Sequence, residues 1–192
     1  MMNYTANCET AKTYIKAGLN DTAYEYLIDT LKSVPKKERT GENGAFLEII
    51  VFLAQLELFK NQKKNAIKRI ELGLKLNPNH IDLLFLKTLY LWNEKRFDDM
   101  FVTLMHYLMG ILLITQTATQ YNYASKHAQK EIIEKLLPDA YFGSNNRLEF
   151  SQAICHLAAR SKHEFFTELA TLIQSMDQLG KNTSQTSHEQ KK

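Results

Sequence analysis

Apolar positions recur along this chain at helical spacing, and one frame of them comes round three times. Ala23, Ala66 and Met100 serve as its reference points. Twelve residues before them stand Ala11, Ala54 and Thr88; four after stand Leu27, Ile70 and Leu104; eight after stand Leu31, Leu74 and Leu108. Twelve after come Pro35, Pro78 and, out of pattern, Leu112. Residues four and eight apart share one helix face, so each reference point opens an amphipathic helix. The small residue twelve earlier falls on a preceding helix and lets the two approach closely. From Ala66 to Met100 is a step of 34 residues and from Ala23 to Ala66 a step of 43. The surplus of nine matches the polar run 36–44 (KKERTGENG), which reads as a loop inserted between units.

The frame predicts three helical hairpins. The first pairs a helix near 7–18 with one near 21–34, broken at Gly18 and Asn20 and ended by Pro35, which has no N–H to continue the ladder. The second runs from about Ala45 to Leu76 with a break near 61–63. The third starts at His80 or Ile81, turns at 93–96 and resumes at Phe97-Asp98-Asp99-Met100. A helix–turn–helix unit repeating every 34 residues resembles the tetratricopeptide repeat. The stop Leu76-Asn77-Pro78-Asn79 and the opening Phe97-Asp98-Asp99-Met100 are similar to elements of that family. Tyr14 matches its first-helix aromatic, whereas Glu57 and Leu91 replace it in the other two units. The resemblance covers roughly residues 4–114 and implies an all-α solenoid of antiparallel helix pairs, here with C-terminal capping helices.

After Ile114 the frame is lost. A long helix over about 118–137, a loop from Pro138 to Asn146 and shorter helices near 147–160 and 163–179 are predicted instead, so 115–179 forms a capping region. The tail 180–192 lacks apolar residues and is predicted to be disordered.

Composition sharpens this picture. Seven Gly and three Pro leave few of the turn formers that all-β folds need. Net charge is +3, with 24 basic against 21 acidic residues, which predicts no specific nucleic-acid partner. The basic face Lys60–Arg69 keeps open a weak, salt-sensitive anionic-surface contact. Two cysteines, Cys8 and Cys155, make no disulfide framework, and the first residues (MMNYTANCETAK) show no secretory signal. The stretch Met100–Ile114 is shorter than the ~20 apolar residues a transmembrane helix requires. A cytoplasmic protein is expected. No phosphate-cradling glycine motif, hydrolase elbow or zinc-protease spacing occurs, and Cys155, His156 and His163 form only a weak constellation. No enzyme, metal or cofactor is predicted.

In tetratricopeptide proteins the first helix of each pair lines a concave groove that holds a partner. The resemblance assigns this role to Cys8, Lys12 and Ile15, then Val51, Gln55 and Leu58, then Phe85, Leu89 and Trp92. Lys12 alone would suit the family's grip on an acidic C-terminus, so that clamp is expected to be missing. An apolar groove instead suits a hydrophobic peptide or amphipathic helix. The stripe Phe85, Leu89 and Trp92 has two readings: a partner surface, self-association included, or packing against the C-terminal helices. Function therefore divides between a non-catalytic scaffold or chaperone-like adaptor and a small enzyme or regulator whose active region lies in 115–179.

Overall fold

The computed structural model describes residues 4–113, 121–123, 125–161 and 163–189. Among these the regular secondary structure is helical throughout. In chain order the helices are α1 (Tyr4–Lys16), α2 (Asn20–Ser33), α3 (Gly44–Phe59), α4 (Lys63–Leu76), α5 (Ile81–Asn93) and α6 (Phe97–Leu113). Then come α7 (Lys126–Glu131), a π-helical segment Ile132–Leu136, α8 (Leu137–Tyr141), α9 (Arg147–Ser161) and α10 (Glu164–Glu189). None of the described helices is long and apolar enough to cross a membrane. The chain divides into two compact units, Met1–Tyr90 and Leu91–Lys192.

The three reference residues each occupy the fourth position of α2, α4 and α6. Most of their frame is core: Ala11, Ala54 and Thr88, the reference residues themselves, Leu27, Ile70 and Leu104, and Leu108 are fully buried, whereas Leu31 and Leu74 are half-buried. The turns ahead of them repeat to the level of single hydrogen bonds. Five residues before each reference stands Gly18, Asn61 or Lys95, at φ of 76°, 57° and 56°. The next N–H, of Leu19, Gln62 or Arg96, reaches back five residues to the carbonyl of Tyr14, Glu57 or Leu91 at 2.9, 2.7 and 2.9 Å. A left-handed residue followed by this long return bond is the Schellman ending, which satisfies carbonyls that the finished helix leaves open.

Within the first unit α3 is the central element, packed on α1, α2 and α4. Its sequence is apolar nearly all round, and Phe46, Leu47, Ile49–Leu53 and Leu56 are buried, as such a helix requires. Gly73 of α4 is needed for contact, since a Cβ there would run into the Leu83 side chain. The insertion is ordered. It opens with a 3₁₀ turn, Lys36–Glu38; Arg39 donates to the carbonyls of Val34 and Leu31 at the end of α2. Asn43 caps α3 by accepting from the Phe46 N–H.

In the second unit Phe101, Tyr141 and Phe150 meet ring to ring at the centre. Asp98 holds the start of α9: its carboxylate accepts from the Ser144 hydroxyl and the Asn145 N–H, both at 2.7 Å, and from Asn145 Nδ2. These bonds, the Ser144 hydroxyl first, hold the Asp98 carboxyl below its ordinary range.

Three expectations differ in the structure. Pro138 does not open a loop: it lies in the first turn of α8, and the loop comes at 142–146. A helical proline crowds the carbonyl four residues earlier. The wide π turn, in which Leu137 N–H reaches Ile132 O, falls at that place. Within the described residues the helix expected from 118 begins only at Lys126, after the Ser125 cap. The tail expected to be disordered over 180–192 instead has helical backbone as far as Glu189, because α10 continues through residues that carry no proline; residues 190–192 lie outside the described set.

Candidate functional site

The groove positions fare differently. Val51 and Phe85 are fully buried, so they are core residues and offer a partner nothing; the period that selects a groove face also selects a core face. Ile15, Gln55, Leu58 and Leu89 are half-buried and keep some surface. Trp92 lies under the Lys135 ammonium, 4.7 Å from its ring centroid, so one face of the indole is covered by the π segment. The stripe Phe85, Leu89 and Trp92 thus divides into one core residue and two half-buried ones.

Lys12 spans the step from α1 to α3. Its ammonium contacts Glu9 at 2.7 Å and Glu48 at 2.8 Å and lies 5.6 Å from the Phe52 ring. Burial pulls the Lys12 ammonium down, but its bonds to Glu48 and Glu9 more than offset that and leave it raised. A cation already bridged by two carboxylates is poorly placed to grip an acidic terminus. Cys8 beside it is buried, with its thiol pointing at the Ala45 carbonyl, and burial pushes it up to about 12. Such a thiol is inert.

A polar node stands where the sequence offered no site. Glu57, fully buried on α3, accepts through Oε1 from Arg69 Nε at 2.6 Å and from the Tyr24 hydroxyl at 3.1 Å. It therefore ties α2, α3 and α4 together. Lys60 lies over the Tyr24 ring and pairs with Asp21 at the rim. The signal was present in the sequence, since Glu57 stands where the repeat frame has Tyr14 and Leu91, but nothing there named its partners. Phe59, two residues on from Glu57 at the end of α3, is 74% exposed.

The C-terminal constellation stays apart. Cys155 Sγ has Gln174 Nε2 at 4.0 Å, while His163 packs edge-on to Phe165 and Phe166. Among the described residues no group of three His, Cys, Asp or Glu converges to hold a metal. A cavity of about 320 Å³ lies beside His163, lined also by Lys126, Lys130, Glu134, Glu164 and Glu168. Tyr141, Ser151 and Asp177 form a separate knot: the hydroxyls of Tyr141 (2.7 Å) and Ser151 (3.3 Å) both donate to the Asp177 carboxylate. Burial, helped by Asp177, pushes the Tyr141 phenol to about 12.

Comparison with family models, curated proteins and solved structures finds no match to this chain.

Proposed function

We propose that this chain is a non-catalytic scaffold that binds a hydrophobic peptide or helix of a partner protein against its first-helix face. The observation that carries the reading is the threefold recurrence of the buried frame together with its Schellman turns. Repeats of this kind stack side by side and present aligned first helices to a ligand. The tetratricopeptide resemblance belongs to the same reading, with cytoplasmic location as its companion expectation.

The working surface is narrower than the sequence suggests. Lys12, Ile15, Gln55, Leu58 and Leu89 keep accessible area, and apolar anchors among them suit an apolar ligand face. With Lys12 neutralised by Glu9 and Glu48, recognition of an acidic C-terminus is disfavoured. The test is loss of a co-purifying protein on replacing Leu58 and Leu89 together by Glu.

A further inference from the structure

α6 and α9 lie side by side in the second unit and run the same way. Asp98 meets Asn146 near their N-terminal ends, and Phe101 stacks on Phe150 at 4.5 Å. One turn further on, Val102 and Met105 line a cavity of about 200 Å³ with Glu149 and Ala153. Each helix turns a row spaced three and four residues apart toward solvent. On α6 this row is Asp99, Val102, His106, Met109 and Leu113, all exposed. On α9 and the residue before it the row is Asn146, Glu149, Ala153, His156 and Arg160, of which Asn146 and Ala153 are half-buried. The two rows share one register, 47 residues apart at every level.

Such three–four rows form the seam along which helices pack at a shallow angle. Val102, Met109 and Leu113, at 52, 43 and 76% exposure, leave apolar side chains uncovered along the α6 row, among polar neighbours. Its charges are graded. Asp99, which also pairs with Arg96, and Glu149 lie at the N-terminal end; Arg160 lies at the other.

We propose that a second copy of this chain docks on this face, forming an antiparallel four-helix interface about a two-fold axis at the level of His106 and Ala153. An axis across the helices keeps each helix opposite its own copy and reverses its direction, so the interface is isologous. Val102 then meets Met109 of the other copy, and Ala153 meets Ala153, where a small side chain permits close approach. Glu149 meets His156, and Asn146 meets Arg160. A parallel arrangement would gather Asp99 and Glu149 of both copies at one end, whereas the antiparallel one sets that acidic end against the end that carries Arg160, which selects it. This inference shares no residue with the groove reading and stands or falls separately.

The test is sedimentation velocity on the full chain up to about 200 µM, with circular dichroism confirming the fold of each surface variant. Wild type is expected to sediment as a dimer at high concentration. Val102→Glu is expected to weaken dimerisation by ~100-fold or more, since it sets a buried carboxylate against Met109. His156→Glu sets two carboxylates across the axis and should weaken it by ~10-fold, while adding Glu149→Lys to it creates an opposite pair and restores dimerisation to within ~3-fold of wild type. A wild type that stays monomeric overturns the proposal. So does a dimer indifferent to Val102→Glu, or a double swap no better than His156→Glu alone.

Discussion

Two buried polar residues set the clearest expectations at the scale of single side chains. Glu57 is enclosed on α3 and matched by Arg69 and Tyr24 through one oxygen. Removing the cation strands a buried charge, so Arg69→Met should destabilise the fold by about 3 kcal/mol in urea denaturation. Replacing both Glu57 and Arg69 by Leu should recover most of that loss, because two apolar side chains need no partner there. A double variant as unstable as the single one would show that the ion pair contributes net stability. His80 supplies a pH dependence. Burial lowers its imidazole from the ordinary 6.5 to about 4, so the unfolded chain takes up a proton that the folded chain resists. Stability should be full above pH 6.5 and fall as pH drops toward 4, by about 3 kcal/mol in all. His80→Gln should flatten that part of the profile; an unchanged slope would assign it to carboxylates.

At the scale of elements, the three hairpin turns share one geometry built from three different residues. Gly18 occupies the left-handed region without strain, whereas Asn61 and Lys95 carry a Cβ there. Gly18→Ala should therefore cost about 1 kcal/mol, and Lys95→Gly should stabilise by a few tenths to about 1 kcal/mol, both read from thermal unfolding. Equal and opposite substitutions with the same sign would mean that the turns are not equivalent. These turns also show what the sequence could convey. The breaks at Gly18, near Asn61 and at 93–96 were legible because a helical period stops there. Lys95 as the left-handed residue was not, because lysine carries no turn preference and is placed by the return bond from Arg96 to Leu91. The π turn before Pro138 was missed for a related reason. A proline alone signals a break, and only the packing of Ile132, Leu136 and Leu137 in the core keeps the helix going past it.

For the molecule as a whole, the repeat frame gave the core with more fidelity than the groove. Ala, Ile and Leu at the frame positions, Leu31 and Leu74 excepted, are buried because close approach and helix-face periodicity are local rules. Groove positions depend on which first-helix residues the neighbouring helices leave uncovered, and that is a tertiary outcome. Val51 and Phe85 are core residues for this reason, while Trp92 stays half-buried with Lys135 over one face of its ring. The scaffold reading now rests on Lys12, Ile15, Gln55, Leu58 and Leu89. The most direct measurement is quantitative capture from native lysate by tagged wild type, a Leu58→Glu, Leu89→Glu variant, and a Phe59→Glu control at an exposed position outside the groove set. A protein retained by wild type and the control but lost by at least ~10-fold from the double variant is the predicted result. Identical capture by all three folded proteins would contradict the groove.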